Sequence, residues 1–478
     1  MSQEFSNAYA PACMVRVVCA ALTGLLTCPS AFASTPPTAI PAVTAFAHVC
    51  VLPMDKNRVL HDQTVIVEGG KIAAIGSSIP VPADATVING HGSACLSPGL
   101  ADMHVHTDTV EDMKIFLANG VTTVLNMGGA SAGFMNLVKP AINSGGQPGP
   151  HVYVGLMVDG SAQFGNLFVT TPAQARAIVD IAKTNGYDFI KVYNDLSPAC
   201  FHAIIEEGKR QHMRIIGHGV TRVGIEKELA MGQIMVAHTE EFLYTVFSHP
   251  DLSQPNPASL DPTPPNPADI PRVIAFLKLD EAFVTADLNT YATIARQWGR
   301  ENVLQGFMRK PELRYLSPAR RMKWSNSDYV KRAGSVDANL AFLKRFTKNM
   351  ADAGVLLITG TDAPAIPGLV PGYSLHDDMD MLEAAGLSRY EVLAAATRAP
   401  GELIHRSFPD SESFGTIAVG NRADLVLCAA NPLHDLSTLR KPLGVMAKGK
   451  WYSQADLRAL LDQVDREYNE VAAEGRKK

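Results

Sequence analysis

The sequence predicts an α/β fold in which a (β/α)8 TIM barrel is joined to a small β-sandwich domain built from both ends of the chain. Two observations lead to this prediction. Eight apolar runs alternate with helical segments through the middle of the 478-residue chain, and shorter runs divided by Gly, Pro, Asp and Asn flank this middle part on both sides. An open doubly wound sheet is the structural alternative.

The amino terminus has the features of an export signal followed by a linker. Arg16 supplies positive charge, Val17 to Leu26 is a short apolar region, and an Ala-Phe-Ala sequence precedes Ser34, as at a cleavage site for a signal peptide. We therefore expect residues 1–33 to be a signal peptide and the protein to be periplasmic or secreted. Residues 34–44, rich in Pro, Thr and Ala, are expected to be a linker.

The predicted β domain comprises residues 45–98 and 413–455, and a helix or tail follows at 456–478. Gly69-Gly70 is a plausible hairpin turn between two of its strands. Three of the four cysteines beyond the predicted signal peptide fall in these segments, namely Cys50, Cys95 and Cys428. In an oxidising compartment one pair of them could form a disulfide, but buried free thiols are equally consistent with the sequence.

The barrel is expected to span residues 99–412. Its eight predicted strands are Leu100 to Val105, Val121 to Met127, His151 to Val158, Asp188 to Tyr193, Arg214 to Gly217, Gln233 to Ala237, Ala282 to Leu288 and Leu356 to Gly360. Two long connections, 247–271 and 301–337, follow the sixth and seventh strands. Since loops that follow the strands cover the active face of such barrels, each connection is either a substrate lid or a peripheral excursion.

Charge and hydropathy exclude some classes of partner. The net charge is −5 without a basic cluster, so nucleic acid is not expected to bind. Beyond the amino terminus we find no apolar stretch long enough to span a membrane. A small-molecule substrate is the expected partner, and a homo-oligomer is possible.

Polar residues stand at the ends of five predicted strands. His104 and His106 are two positions apart on the first strand and therefore share one face. The strands of a barrel direct their carboxyl ends to a common mouth, so these residues should meet the residues at the other strand ends. Imidazole and carboxylate groups suit Zn²⁺ and related divalent ions. The candidate metal ligands are His104, His106, Lys191, His218, His238 and Asp362.

Lys191 is a charged residue inside an otherwise apolar strand, where an unpaired ammonium is costly. Carboxylation by carbon dioxide would convert it to N6-carboxylysine, a carbamate able to bridge two metal ions. The alternative is an ion pair with a carboxylate such as Asp188 or Glu240.

Taken together, these residues resemble the amidohydrolase superfamily. The resemblance extends from about residue 45 to residue 455 and includes the Pro98-to-His106 segment, the Phe189-to-Val192 strand and Gly415 to Val426. It implies that His104 and His106 hold a buried metal ion together with Asp362. His218 and His238 would hold the outer ion, and carboxylated Lys191 would bridge the two. A hydroxide shared by the ions would attack the substrate, and Asp362 would transfer its proton to the leaving amine.

The Phe189-Ile190-Lys191 strand resembles the branch of imidazolonepropionase-like proteins and secreted prolidases. The implied reaction is hydrolysis of a carbon–nitrogen amide or peptide-type bond in a small substrate, such as a dipeptide or an N-acyl amino acid. This chain departs from the branch because it has Val220 where relatives often have Tyr, and no His follows the third strand. Tyr193, Glu240 and Tyr244 are therefore the candidate substrate contacts.

Other reactions stay open. Esters, lactones, cyclic amides and phosphotriesters suit the same metal pair. A deaminase is less well supported, because such relatives commonly carry Glu three residues after the fifth-strand His, where this chain has Thr221. A non-catalytic metal-binding or solute-binding protein of the cell envelope is the alternative from another class.

Overall fold

The structure is a computed structural model that describes residues 43–162, 167–248 and 264–475, with side chains up to residue 470. The predicted signal peptide and most of the predicted linker lie outside these residues, as do residues 249–263 of the first long connection. The first strand begins at Val43, two residues before the predicted start of the β domain.

Seventeen strands are present in the described part of the chain. They are β1 (Val43–Val51), β2 (Leu60–Glu68), β3 (Lys71–Gly76), β4 (Thr86–Asn89), β5 (Cys95–Pro98), β6 (Leu100–Val105), β7 (Val121–Asn126), β8 (His151–Asp159), β9 (Leu167–Phe168), β10 (Phe189–Val192), β11 (Arg214–Gly217), β12 (Gln233–Val236), β13 (Phe283–Thr285), β14 (Leu356–Ile358), β15 (Leu425–Cys428), β16 (Gly444–Ala447) and β17 (Lys450–Ser453).

The α-helices lie mostly between the barrel strands. They are α1 (Val110–Ala118), α2 (Lys139–Asn143), α3 (Pro172–Thr184), α4 (Pro198–Gln211), α5 (Ile225–Met231), α6 (Glu241–Thr245), α7 (Ile270–Leu279), α8 (Leu288–Gln297), α9 (Glu301–Phe307), α10 (Pro318–Ser325), α11 (Asp337–Asp352), α12 (Tyr373–Ala384), α13 (Arg389–Ala396), α14 (Arg398–Ser407) and α15 (Gln454–Gly475). Short 3₁₀ or π turns occur at Phe134–Val138, Pro267–Asp269, Pro311–Tyr315, Tyr329–Lys331 and Leu436–Arg440.

Eight parallel strands form the barrel, in the order β14-β13-β12-β11-β10-β8-β7-β6, and β9 pairs with the edge of β8. Backbone hydrogen bonds join the two ends of this order. The Met103 amide donates to the Thr359 carbonyl at 2.9 Å, and the Asp362 amide donates to the His104 carbonyl at 2.8 Å. The sheet therefore closes between β14 and β6, and the doubly wound alternative is wrong.

The barrel is held together by one apolar cluster that receives a buried side chain from each of its eight strands. Burying such side chains is the main favourable contribution to folding. Because this cluster fills the barrel, the polar residues at the strand ends are held on a rigid base. The residues concerned are Met103, Leu125, Tyr153, Phe189, Ile216, Met235, Phe283 and Ile358.

The β domain combines strands from both ends of the chain, as the sequence predicts. Its strand order is β17-β16-β15-β5-β1-β2-β3, with β4 paired to β1. The predicted turn between β2 and β3 is present, because Glu68 pairs with Lys71 and both intervening glycines have positive φ, 56° and 79°. Glycine adopts such positive φ angles at successive positions without strain.

The cysteines of the β domain lie side by side. Cys95 on β5 is in register with Cys50 on β1 and with Cys428 on β15. Cys50 and Cys95 form a disulfide, and Cys428 is a buried free thiol. The structure thus selects one pairing from those that the sequence leaves open.

The second long connection is not an irregular loop. Residues 301–337 contain α9, α10 and two 3₁₀ turns, and the buried Trp324 indole donates a hydrogen bond to the Pro364 carbonyl at 3.0 Å. Pro364 lies two residues beyond Asp362, so this connection packs against the loop that carries a predicted site residue.

No helix in the described ranges combines the length and the apolar character needed to cross a membrane.

Candidate active site

The structure brings all six predicted metal ligands to the carboxyl end of the barrel. The nitrogen and oxygen atoms of five of them form two overlapping groups, in each of which every ligand atom lies within 4.8 Å of the others. One group is His104, His218 and His238, and the second is His104, His106 and Asp362. Lys191 is fully buried beside them and interacts electrostatically with Asp362.

The atoms of these groups are arranged as they would be around a cation. The Nε2 atoms of His104 and His106 face each other at 3.2 Å, and His106 Nε2 lies 3.0 Å from Asp362 Oδ1. His218 Nε2 is buried and has no hydrogen-bond partner among the described residues. Buried polar atoms normally have a partner, so these side chains fit a site for divalent metal ions.

Burial keeps the imidazoles in the form that binds metals. It is the first cause that lowers the pKa of His104 well below its ordinary value, and the neighbouring His238 adds to the effect. Burial and then Lys191 lower the pKa of His218 in the same direction. Neutral imidazole is the form that donates a lone pair to a metal ion.

Unusual backbone conformations direct side chains at the barrel mouth. His238, Asp287 and Asp362 have φ angles of 66°, 45° and 58°, a region that residues other than glycine rarely adopt. Each residue lies just beyond the end of its strand. Such conformations cluster at functional sites, where the surrounding structure holds them in place.

Carboxyl groups lie on the Nδ1 side of three of the imidazoles. Asp287, fully buried, places Oδ2 2.6 Å from His238 Nδ1 and 3.6 Å from His104 Nδ1. Glu241 Oε1 lies 2.9 Å from His218 Nδ1. His218 Nδ1 also hydrogen-bonds to Asn194 Oδ1 at 3.2 Å, and an acceptor at Nδ1 leaves Nε2 free for a metal ion.

Gly360, two residues beyond β14, leaves room for this arrangement. A Cβ at this position would overlap the Asp287 carboxylate and lie 2.7 Å from His104 Cβ. We expect Gly360→Ala to displace both side chains and to destabilise the protein by about 1–3 kcal/mol, as overpacking does in closed cores. Chemical denaturation and metal titration of the variant measure the two effects, and unchanged values for both would contradict this role of Gly360.

Lys191 has neither of the ion-pair partners considered from the sequence. Asp188 binds Lys139 instead, at 2.7 Å, and no ion pair of the described residues includes Glu240. Lys191 Nζ is buried without a hydrogen-bond partner. Burial lowers the pKa of Lys191 to about 8, so a neutral amine, the form that reacts with carbon dioxide, is accessible near neutral pH.

The carboxyl groups of the site differ in their tendency to ionise. Burial favours the protonated form of Asp362, but the hydrogen bond with His106 outweighs this effect and lowers the pKa of Asp362. Burial raises the pKa of Glu241 to about 7 and that of Glu240 to about 8. Asp362 is therefore the carboxylate of this set that is ready to accept a proton at neutral pH.

The predicted substrate contacts lie around the mouth. The Tyr193 ring stacks on the His218 ring, with the centroids 4.1 Å apart, and Tyr244 and Tyr193 are both half-buried. Tyr329, from the second long connection, interacts electrostatically with Asp362 and with Glu240. Tyr193 therefore lies directly against a predicted metal ligand.

Sequence reasoning missed three residues that contact the imidazoles or their neighbours: Asp287, Glu241 and Asn194. Asp287 falls within the predicted seventh strand. Like Lys191, it is a charged residue inside an apolar run, and this feature could have identified it. Glu241 and Asn194 give no such signal, because only the folded chain shows that the Asn194 amide donates to Glu241 Oε2 at 2.7 Å. Asn194 Oδ1 also lies 3.2 Å from His218 Nδ1.

Comparison with known proteins identifies the family. The model of the amidohydrolase family matches residues 95–452. The chain therefore belongs to the amidohydrolase family.

Individual relatives are more distant. An enamidase of Eubacterium barkeri is 38% identical over 84 residues, which are 15% of this chain and 22% of that protein. The chain thus matches less than a quarter of the length of this curated relative. Among solved structures, a bottromycin amidohydrolase is 23% identical, with a TM-score of 0.68, over 90% of this chain and 91% of that one. A Xaa-Pro dipeptidase is 16% identical, with a TM-score of 0.63, over 86% of this chain and all of that one (100%).

Proposed function

We propose that this protein hydrolyses an amide or peptide-type bond in a small substrate, such as a dipeptide or an N-acyl amino acid. The observation that carries the proposal is the meeting of four imidazoles, Asp362 and an unpaired buried lysine at one end of a closed barrel. The relatives named as a dipeptidase and an amidohydrolase support the same bond type.

We assign His104, His106 and Asp362 to one metal ion, and His218 and His238 to a second. Lys191, as N6-carboxylysine, would bridge the two, and Zn²⁺ is the expected metal. When bound, the ions would supply the positive charge that lowers the pKa of a water molecule and polarises the scissile carbonyl.

Asp362 is the proton carrier in this proposal. Its carboxylate is ionised at neutral pH and only partly buried, with 13% of the side chain exposed. It can therefore accept a proton from the attacking water and return it to the nitrogen of the leaving amine. His106, 3.0 Å away, holds the carboxylate in place.

Asp287 would orient His104 and His238 from behind. We expect Asp287→Asn to lower metal affinity by about 10- to 100-fold, because outer hydrogen-bond partners of metal ligands contribute this much. The Asn amide can present N–H to Nδ1, which favours the tautomer whose Nε2 is protonated and unable to bind a metal ion. Competition with a chelator measures the change, and an affinity within twofold of the parent would contradict it.

The paired Cys50 and Cys95 support export, because disulfides persist in oxidising compartments. We propose a periplasmic or secreted location after removal of residues 1–33. Amino-terminal sequencing of the protein recovered from the periplasm or medium tests this, and recovery of the uncleaved chain from the cytoplasm alone would contradict it.

The reaction is tested by incubating the zinc-loaded protein with dipeptides, N-acyl amino acids, cyclic amides and lactones and identifying the products by mass. We expect amide cleavage by the parent and none by the chelated protein. Cleavage of lactones alone would replace the proposed bond type while leaving the metal assignment intact. No product from any compound at full metal loading would contradict the proposal.

A further inference from the structure

Thr361 lies directly before Asp362 in the turn that follows β14, and its hydroxyl group makes two hydrogen bonds. It donates to Asp102 Oδ2 on β6 at 2.7 Å, and it accepts from the Ala363 amide at 3.2 Å. The side chains of Thr361 and Asp102 are both fully buried. The hydroxyl group therefore joins the residue that follows Asp362 to the strand that carries two of the predicted metal ligands.

Backbone hydrogen bonds fix the same turn against the end of β6. The Asp362 amide donates to the His104 carbonyl at 2.8 Å, and the His106 amide donates to the Ala363 carbonyl at 2.8 Å. Between these bonds Asp362 has a φ angle of 58°. A residue other than glycine keeps such a conformation where the surrounding structure holds it. The Thr361 hydroxyl is the side-chain group that adds to this hold.

The carboxyl group of Asp102 interrupts an apolar strand, two positions before His104. In the described part of the chain, its one side-chain donor is Thr361, and the His104 amide lies 3.4 Å from Oδ1. A buried acceptor that loses its donor is costly. Valine has nearly the shape of threonine but neither donates nor accepts a hydrogen bond. Packing alone would thus be served by valine at position 361, whereas the two hydrogen bonds require a hydroxyl group.

We propose that Thr361 is a positioning residue, which fixes the Asp362 carboxylate beside His106 through its hydrogen bonds to Asp102 and Ala363. This inference rests on the proposed function and adds a residue that acts through Asp362. Because Asp362 both holds a metal ion and carries a proton in that proposal, a displacement of about 1 Å in its carboxylate would impair both roles. Loss of the hydroxyl group should therefore weaken metal binding and lower kcat, with little change in KM.

The test compares Thr361→Val with Thr359→Val as the matched control. Thr359 is also fully buried, and its hydroxyl lies 2.8 Å from the Ala101 carbonyl and 3.4 Å from the Ala395 carbonyl. Both variants lose a buried hydroxyl where the sheet closes between β14 and β6, so chemical denaturation should show that both are destabilised. The bonds of Thr359 do not involve residues 361–363.

We expect Thr361→Val to lower zinc affinity by about 10- to 100-fold, the range for outer hydrogen-bond partners of metal ligands. Competition with a chelator measures this without any turnover. With a substrate that the parent cleaves, kcat should fall by about 10- to 100-fold, as for a misplaced catalytic group. Thr359→Val should keep the parent zinc affinity and kcat. Thr361→Ser retains the hydroxyl group and should recover most of both values.

If Thr361→Val does not fold, Thr361→Ala and Thr359→Ala form the equivalent pair, because alanine removes the hydroxyl group without adding volume. Equal zinc affinity and equal kcat within a pair would overturn the inference, and so would a failure of Thr361→Ser to recover them. Weaker zinc binding in the position-361 variant, without amide hydrolysis by the parent, would uphold the inference and count against the proposed function. A parent that binds no zinc would overturn both.

Discussion

Asp362→Asn is expected to retain metal and to lower kcat by about 10²- to 10⁴-fold, the usual contribution of a positioned acid–base group. The Asn carbonyl can still face His106 Nε2, which lies 3.0 Å from the native carboxylate. The amide cannot accept a proton from water or pass one to the leaving nitrogen. Steady-state kinetics on any substrate that the parent cleaves, with metal analysis of the same sample, measures both parts of the prediction.

Asp352→Asn is the control for this change, because Asp352 is an exposed residue that pairs with Lys348. It should retain the parent kcat. Parent-like turnover in Asp362→Asn would remove the proton-transfer role, whereas a loss of metal that accounts for all of the lost turnover would reduce Asp362 to a ligand.

Lys191→Ala is expected to lose most of its metal. A bridging ligand contacts the ions directly, so its loss should exceed the about 10- to 100-fold effect of an outer hydrogen-bond partner. The cavity left by the side chain can admit a short carboxylic acid, which should restore part of the metal content and activity. Elemental analysis with and without acetate or propionate measures this.

Lys139→Ala removes another barrel lysine, one that pairs with Asp188 outside the site, and should keep the parent metal content. Full metal occupancy in Lys191→Ala would contradict the carbamate. Mass spectrometry of the intact parent under carbon dioxide adds an independent check, because the carbamate increases the mass of the chain.

The barrel could be predicted from sequence because its strands are short apolar runs separated by helical segments. All eight predicted runs contain a strand, although the strand that carries Lys191 is shorter by one residue at each end. Within the second predicted part of the β domain, Gly415 to Gly420 forms bends and a turn and no strand. Its backbone hydrogen-bonds to the first part of the β domain, as where the Ile417 amide donates to the Pro53 carbonyl.

Residues of the site could be predicted where a polar side chain interrupts an apolar strand, as at Lys191, or stands at its end, as at His218. Residues that contact the predicted ligands from another strand end could not be predicted. Glu241 orients His218 although 23 positions separate them, and nothing in the sequence distinguishes it from the adjacent Glu240. The position of the long connection 301–337 could not be predicted either, because its contact with Pro364 depends on packing of Trp324.

The most direct test of the account is a crystal structure of the zinc-loaded protein with anomalous data collected on both sides of the zinc absorption edge. The account predicts two anomalous peaks at the carboxyl end of the barrel. One should lie beside His104, His106 and Asp362 and the other beside His218 and His238, with carbamate density on Lys191 between them. Peaks that lie away from these side chains, or no peak at full zinc loading in solution, would contradict the central claim that these residues form the metal centre.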